Sequence, residues 1–257
     1  MTVHTSLPGQ VVVIIGGSGG IGAATARLFA DAGAFVVITH RPDAPGETTK
    51  ADAAATVVAS LPDNRHVAFP ADVTDTATLN ALRDQVGWRY GRCNILVNTS
   101  GFTKAVPHGD LDALDDDLID RMFAVNWRGQ FAAIRAFAPL LKESGNGLIV
   151  SVSSIAGMTG LGSSIAYGAA KAGIDVMTKS LARALAPEVR VLGVSPGAVD
   201  TSFVPGRGAE FNARAAATTP LKRVAQPEDV AAAILACATH LIFSTGSNVV
   251  VDGGRSL

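Results

Sequence analysis

VVVIIGGSGGIGAATARLFADA, residues 11 to 32, is the stretch that decides which fold this chain adopts. Its first part, Val11 to Ile15, is an uninterrupted apolar run, which is typical of a strand buried on both faces of a parallel sheet. The glycine-rich stretch Gly16 to Gly22 follows at once, and an alanine-rich helical pattern runs from Ala23 to Ala32. This order predicts a dinucleotide site, because glycines let a pyrophosphate approach the backbone and the helix amino terminus offers free N–H groups.

The same alternation of apolar run and helical pattern continues to the end of the chain. An ordinary tight turn would explain an isolated glycine cluster, but the alternation favours a doubly wound α/β fold with a seven-stranded parallel sheet. We therefore predict a single Rossmann-type domain over residues 1–257, with its ligand at the carboxyl ends of the strands. The other strands are predicted at Phe35–His40, His66–Pro70, Cys93–Val97, Leu148–Val152, Val189–Ser195 and Asn248–Val251.

Composition excludes several classes of function. The chain has 257 residues, is 48% hydrophobic and carries a formal net charge of −1, which disfavours nucleic acid or an anionic membrane as a partner. Cys93 and Cys237 lie in apolar surroundings without a Cys-x-x-Cys motif, so we expect no metal site and a reducing compartment. The apolar run Val11 to Ile15 is too short for a signal sequence or a membrane span, which makes the cytoplasm the expected location.

A serine, a tyrosine and a lysine stand at spacings that suit one proton-transfer site. Tyr167 and Lys171 are four residues apart, on one face of a predicted helix, and Ser154 precedes Tyr167 by 13 positions at the end of a predicted strand. A cation about 4 Å from a phenol, at an effective dielectric of about 20, would lower the pKa of the phenol by about 3. The alternative is a chance pair, with the lysine solvated and the tyrosine half-buried.

These three residues and the glycine turn resemble the short-chain dehydrogenase/reductase family, in its compact single-domain branch, over nearly the whole chain. The resemblance implies that Tyr167 is the acid/base, Lys171 lowers its pKa and binds the nicotinamide ribose, and Ser154 polarises the substrate oxygen. It also implies that Asn126, within a helical pattern from Leu111 to Ser144, orders a relay water. A buried amide satisfied by the protein alone is the alternative for Asn126.

The end of the second predicted strand bears on which nicotinamide cofactor binds. His40 and Arg41 stand where NAD-dependent enzymes commonly place a carboxylate, and a guanidinium can pair with a 2′-phosphate. NADP(H) is therefore favoured, with NAD(H) as the alternative. Arg41 could instead point into solvent, and the basic residue that relatives often carry in the glycine turn is replaced here by Ser18 and Gly19.

The resemblance implies further cofactor contacts along the chain. Gly16, Gly20 and Gly22 match the Gly-x-x-x-Gly-x-Gly spacing of the family, although Ile15 stands where relatives usually have threonine. Asp72 would contact the adenine, or would merely cap the helix that begins near residues 74–76. The full set of predicted cofactor residues is Gly16, Ser18, Gly19, Gly20, Ile21, Gly22, His40, Arg41, Asp72, Val73, Asn98, Gly101, Tyr167, Lys171, Pro196, Gly197, Val199 and Thr201.

Residues 202–219 lack clear periodicity, and a segment of that length predicts a lid over the substrate. The resemblance implies an oxidoreductase that interconverts a carbonyl and a secondary alcohol. The substrate would be a small molecule or an acyl-carrier thioester, and the assembly a homotetramer. The alternative is a protein that binds NADP(H) as a sensor or scaffold and catalyses nothing.

Overall fold

Seven parallel strands form one sheet in the computed structural model, which describes residues 6–257. Residues 1–5 of the predicted domain lie outside the described residues. The strands are β1 (Val11–Ile15), β2 (Phe35–His40), β3 (Val67–Pro70), β4 (Ile95–Asn98), β5 (Gly147–Val152), β6 (Val189–Pro196) and β7 (Asn248–Val251). Their order across the sheet is β3-β2-β1-β4-β5-β6-β7, so the order reverses between β1 and β4, where ligand clefts open in doubly wound sheets.

Helices cover both faces of this sheet, which confirms the predicted fold class. The helices are α1 (Gly20–Asp31), α2 (Thr49–Ala59), α3 (Thr76–Tyr90), α4 (Asp116–Phe123), α5 (Gly129–Glu143), α6 (Ala156–Thr159), α7 (Ile165–Leu185), α8 (Ala209–Thr218) and α9 (Pro227–Thr239). One apolar core lies between the sheet and α3, α5 and α7, and the other lies between the sheet and α1, α2 and α9. No helix within residues 6–257 has the length and apolar character that crossing a bilayer requires.

Strand β1 shows why the apolar run takes this position. All of its side chains are at most 1% exposed. Successive side chains point to opposite faces, so Val12 and Ile14 enter one core while Val13 and Ile15 enter the other. A strand with helices on both sides needs apolar residues at every position, and this one has them.

Two helical segments differ from the sequence prediction. The pattern predicted from Leu111 becomes helical only at Asp116, because the Asp115 carboxylate accepts the N–H of Leu118 at 2.8 Å and caps the helix there. A π-helical turn, Ala124–Arg128, then separates α4 from α5. In the predicted lid, residues 209–218 are helical, since the alanine-rich sequence of α8 favours a helix without a clear apolar stripe.

Candidate functional site

Two adjoining clefts open along the carboxyl edge of the sheet. The glycine-turn cleft, of about 830 Å³, is lined by residues 15–22, the end of β2, residues 71–74 and part of α4. The tyrosine cleft, of about 510 Å³, is lined by the ends of β5 and β6, by Tyr167 and Lys171, and by residues of the 203–212 segment. The two clefts share lining residues and are therefore continuous with each other. The shared residues are Ile21, Thr99, Gly101, Thr201 and Phe203.

The glycine turn is packed tightly on one side and open on the other. A Cβ added at Gly22 would lie 2.3 Å from the carbonyl oxygen of Gly16, and one added at Gly16 would lie 2.9 Å from the backbone nitrogen of Ser100. A Cβ added at Gly19 would meet no atom within 4 Å. Gly19 is also the N-cap of α1 and provides no side-chain cap, so the first N–H groups of the helix are available to an anionic ligand at the cleft.

We expect Gly22→Ala to lower the free energy of unfolding by about 3 kcal/mol, because the new methyl group would overlap the backbone oxygen of Gly16 and lie 2.9 Å from the Cα of Gly17, so the backbone of the turn would have to shift. Denaturant titration would measure the loss. Gly19→Ala is the matched control. Its φ of −167° is extended backbone and its Cβ site is empty, so its unfolding free energy should stay within about 0.5 kcal/mol of the wild type. Equal stability of the two variants would contradict this account of the turn.

The far end of the glycine-turn cleft carries positive charge. His40 is 8% exposed and its ring Nδ1 lies 3.1 Å from the carbonyl oxygen of Arg41. Arg41 is exposed and lines the cleft, and so does Lys50, whose Nζ lies 3.9 Å from a carboxylate oxygen of Asp43. The sequence analysis did not predict that Lys50 borders this cleft. Lys50 lies at the start of α2, and the loop after β2 folds back so that the start of this helix is near the end of the strand.

Asp72 and Val73 also line the glycine-turn cleft. The Asp72 carboxylate accepts hydrogen bonds from the backbone N–H and the hydroxyl of Thr74, at 2.8 and 2.7 Å. The N-cap of α3 is Asp75, not Asp72, so the alternative that Asp72 caps this helix is wrong. The Asp72 carboxylate stabilises the turn before the helix and still borders the cleft.

Ser154, Tyr167 and Lys171 all line the tyrosine cleft. Helix α7 begins just before Tyr167, because the side chain of Ser164 caps it by accepting the N–H of Tyr167 at 3.2 Å. Ser154 follows β5 and is 8% exposed, and its hydroxyl is near enough to the phenol to lower the pKa of Tyr167. The end of β5 and the start of α7 thus bring together two hydroxyl groups.

The electrostatic surroundings of Tyr167 differ from the prediction. Burial raises the pKa of Tyr167 to about 12, and the groups that oppose this rise are Ser154 and Arg207, not Lys171. The Nζ of Lys171 donates to the carbonyl oxygen of Val152 at 2.8 Å and lies 5.6 Å from the centroid of the Tyr167 ring. The reason is geometric: β5 ends beside α7 with a carbonyl group that accepts the ammonium.

Lys171 is itself strongly affected by its position. It is 3% exposed, and burial lowers its pKa to about 8, opposed by the charge of Asp175 one helical turn later. Asp175 in turn accepts a hydrogen bond from Asn248 at 2.6 Å. The sequence analysis missed Asp175, although its spacing of four from Lys171 on one helix face could have indicated it.

Asn126 and Asn98 are fully buried and line neither cleft. The Oδ1 of Asn126 accepts the N–H of Phe102 at 3.1 Å, and its Nδ2 donates to the carbonyl oxygens of Phe102 and Met122, each at 2.8 Å. Both amide hydrogens therefore bond to carbonyl groups of the protein, which agrees with the alternative that the protein alone satisfies Asn126. The role of Asn126 in ordering a relay water stays a prediction. The Nδ2 of Asn98 donates to Ser151 at 3.4 Å, while its Oδ1 has no partner among residues 6–257.

The segment after β6 forms one wall of the tyrosine cleft. Pro196, Gly197, Val199 and Thr201 all line it, and Thr201 also reaches the glycine-turn cleft. A Cβ added at Gly197 would lie 2.9 Å from that of Asp252, so a glycine is needed for this close approach. Val199 pairs with Ala225 in an isolated bridge that holds the segment in place.

The residues of both clefts fit a nicotinamide dinucleotide. The open glycine cradle and the uncapped start of α1 suit a pyrophosphate, and the buried hydroxyl oxygen of Ser100, at the glycine-turn cleft, has no partner among the described residues. The cations near β2 suit the adenosine end, while the continuous tyrosine cleft leaves room for the nicotinamide beside Tyr167.

Comparison with known proteins agrees with this geometry. A family model described as Enoyl-(Acyl carrier protein) reductase matches residues 16–256. The chain is 38% identical over 252 residues to a protein named as ketoacyl reductase 2 of the granaticin polyketide synthase of Streptomyces violaceoruber, with 96% of each chain covered. It is 38% identical over 249 residues to the cis-4-hydroxycyclohexanecarboxylate dehydrogenase of Sinomonas cyclohexanicum, covering 95% of this chain and 96% of that protein.

Solved structures are similar over the same length. A short-chain dehydrogenase/reductase from Brucella melitensis, described as a glucose/ribitol dehydrogenase, superposes with a TM-score of 0.89 at 29% identity and covers 99% of each chain. A short-chain dehydrogenase/reductase from Serratia marcescens has a TM-score of 0.86 at 31% identity, covering 98% of this chain and 99% of that one.

Proposed function

The chain belongs to the short-chain dehydrogenase/reductase family, and on this premise we propose that it is an NADP(H)-preferring enzyme in which Tyr167 exchanges a proton with the substrate. Members of this family are oxidoreductases that act on CH–OH and C=O groups with NAD(P)(H). The observation that carries the proposal is that Ser154, Tyr167 and Lys171 line one cleft, which is continuous with the cleft of the glycine turn.

NAD(P)(H), when bound across these clefts, supplies or accepts the hydride. Gly19, Gly20 and Ile21 would hold its pyrophosphate, and Val199 and Thr201 would hold the nicotinamide amide. Ser154 would donate a hydrogen bond to the substrate oxygen. The protein thus orients both reactants, and its own chemical contribution is the proton.

The protonation states in the tyrosine cleft suit carbonyl reduction. With a pKa of about 12, the phenol of Tyr167 carries its proton at neutral pH and can donate it to a substrate oxygen. Arg207, whose charge lowers the pKa of the phenol, stabilises the phenolate that remains, while Lys171, with a pKa of about 8, is largely protonated at neutral pH and would bind the nicotinamide ribose. Alcohol oxidation reverses this transfer and needs the phenolate, so we expect that direction to be favoured as the pH rises.

The preference for NADP(H) rests on the charges near the end of β2. His40 and Arg41 occupy the strand end, and Lys50, whose Nζ lies 3.9 Å from an Asp43 carboxylate oxygen, borders the same cleft. The Arg41 guanidinium takes part in no salt bridge within residues 6–257 and is therefore available to a 2′-phosphate. Of the described residues that line this cleft, only Asp72 is acidic, and one oxygen of its carboxylate accepts both hydrogen bonds from Thr74.

We expect Arg41→Ala to weaken NADPH binding about 10- to 100-fold and NADH binding by less than about threefold, because only NADPH carries the phosphate that the guanidinium pairs with. Fluorescence titration with both nucleotides would measure the ratio. Lys142→Ala, which removes an exposed cation at the end of α5, serves as the control and should leave both affinities unchanged. Equal losses of NADPH and NADH affinity would show that Arg41 does not distinguish them.

A substrate panel tests the reaction itself. The relatives include a protein named 3-oxoacyl-acyl-carrier-protein reductase from Thermotoga maritima, 32% identical over 252 residues, and the hydroxycyclohexanecarboxylate dehydrogenase. We therefore propose either a carrier-bound thioester or a small hydroxy acid as substrate. Consumption of NADPH with ketones and thioesters would support the enzyme. Tight NADPH binding without turnover across the panel would favour the sensor or scaffold.

Several expectations stay predictions. They are the single domain over residues 1–257, the lid role of residues 202–219, the homotetramer and the cytoplasmic location.

A further inference from the structure

The tyrosine cleft is lined by positive charge without any balancing carboxylate. Lys171, Arg207 and Arg255 all line it, and among the described residues no aspartate or glutamate does. A cleft of this composition favours an anionic ligand, because the field of several cations adds up inside a low-dielectric space. Lys171 already has a role in the proposed proton transfer. Arg207 and Arg255 are the two cations of this cleft to which the proposed function assigns no ligand.

Arg207 is half-buried and has no anionic partner. Its Cζ lies 4.1 Å from the centroid of the Phe211 ring, and within residues 6–257 its guanidinium takes part in no salt bridge and no side-chain hydrogen bond. Arg214 and Arg223 nearby are each paired with a carboxylate, Glu210 and Asp229. A guanidinium that loses part of its hydration without gaining a carboxylate raises the free energy of the folded protein. A bound anion would lower that free energy again.

Arg255 adds to this charge and does not neutralise it. Its Nη1 donates to the carbonyl oxygen of Ala215 at 2.9 Å and to the hydroxyls of Thr218 and Thr219 at 2.8 and 3.3 Å. All three acceptors are neutral. Burial lowers the pKa of Arg207, and the charge of Arg255 lowers it further, so the two guanidinium groups are close enough to repel each other.

Arg207 also lies near the reacting group. Its guanidinium and the Tyr167 phenol line the same cleft, and its charge lowers the pKa of the phenol. Apolar side chains also line this cleft. They include Phe203, whose ring centroid is 6.1 Å from that of Tyr167. The cleft therefore offers cations, aromatic rings and a phenol to one small molecule.

We propose that the substrate is a small oxo or hydroxy carboxylic acid whose carboxylate binds Arg207 while its carbonyl or hydroxyl group lies at Tyr167. This inference rests on the proposed function and selects between its two substrate classes. The phosphate of a carrier-bound thioester is separated from the reacting carbonyl by a long flexible arm, whereas Arg207 lines the same cleft as the phenol. A planar guanidinium also matches a carboxylate, which it can bind through two parallel hydrogen bonds.

A binding measurement tests the site independently of turnover. The probes are cyclohexanecarboxylate and its neutral analogue cyclohexanecarboxamide, titrated calorimetrically into the NADP⁺-loaded protein. We expect the wild type to bind the carboxylate about 10- to 100-fold more tightly than the amide, and Arg207→Gln to reduce this ratio to below about threefold. Arg214→Gln removes an exposed arginine that is already paired with Glu210, and it should keep the wild-type ratio.

Three binding results would overturn the proposal: equal affinity of the wild type for both probes, no binding of either, or a preference that survives in Arg207→Gln. Arg207→Lys keeps the charge but loses the planar pair of donors, so it should retain part of the preference. Because neither probe contains a carbonyl or hydroxyl group that can react, these results do not depend on whether Tyr167 is the acid/base.

Kinetics with NADPH then test the substrate class. Arg207→Gln should lower kcat/KM for 4-oxocyclohexanecarboxylate by about 10- to 100-fold, mainly through KM, and change kcat/KM for 4-oxocyclohexanecarboxamide by less than about threefold. Equal losses with both ketones would mean that Arg207 acts only through the pKa of Tyr167, which overturns the proposal. A loss of kcat/KM with acetoacetyl coenzyme A alone would also overturn the proposal, since it would mean that Arg207 binds a phosphate of the carrier.

Discussion

Tyr167→Phe is expected to lower turnover by about 10²- to 10⁴-fold while leaving NADPH affinity within about threefold of the wild type. The substitution keeps the aromatic ring that packs near Phe203 and removes only the hydroxyl to which we assign the proton exchange. The Ser154 oxygen keeps its hydrogen bond from the N–H of Ala156, at 3.1 Å, so this neighbour stays in place in the variant. Steady-state rates and nucleotide titration, made on the same preparation, separate chemistry from binding.

Tyr90→Phe is the matched control, because Tyr90 is the other of the two tyrosines in the chain. Its hydroxyl donates to the carbonyl oxygen of Arg65 at 2.9 Å, at the end of α3 and away from both clefts. We expect this variant to keep its turnover and to lose about 1 kcal/mol of unfolding free energy. Wild-type turnover in Tyr167→Phe would refute the role assigned to Tyr167, whatever the control does.

Lys171→Met is expected to lower turnover about 10²-fold and, at the same time, to remove a pH dependence of stability. The pKa of Lys171 is about 8 in the folded protein and 10.5 when unperturbed, so the unfolded chain binds its proton more tightly. The charged, buried ammonium therefore opposes folding below pH 8, by about 3 kcal/mol. As the pH rises from about 8 to about 10.5, this penalty is lost and the wild-type protein becomes more stable.

The methionine variant has no such group, so its unfolding free energy should not rise over that range of pH. At neutral pH it should exceed the wild-type value by about 1 kcal/mol, because the carbonyl oxygen of Val152 loses its donor and offsets part of the gain. Denaturant titrations between pH 7 and pH 9.5 avoid the range above pH 10, in which the raised pKa of Tyr167 makes stability fall again.

Lys179→Met is the control for this experiment, since Lys179 lies on the same helix but is exposed. Its stability should follow the wild-type pH dependence. If the wild type shows no rise in stability above pH 8, the ammonium of Lys171 is not buried as described. A rise that persists in Lys171→Met would assign the titration to another group.

Sequence patterns predicted most of the architecture because each strand of a doubly wound sheet is buried on both faces, and continuous apolar runs such as Val11–Ile15 have few other stable positions. The glycine turn was predicted because only a residue without a side chain fits at Gly22 without a shift of the backbone. Helix ends were predicted less well. The start of α4 depends on which aspartate of the run Asp115 to Asp117 provides the cap.

The sequence alone determined the family, the fold class and the identity of Ser154, Tyr167 and Lys171 as one group, because spacing along a strand and a helix places them at the same edge of the sheet. The tertiary structure decided where their charges act. It directs Lys171 to the carbonyl group of Val152 and brings Arg207 toward the phenol. Electrostatic interactions depend on distance and burial in space, and these are set by how β5, α7 and the 203–212 segment pack together, which no local pattern records.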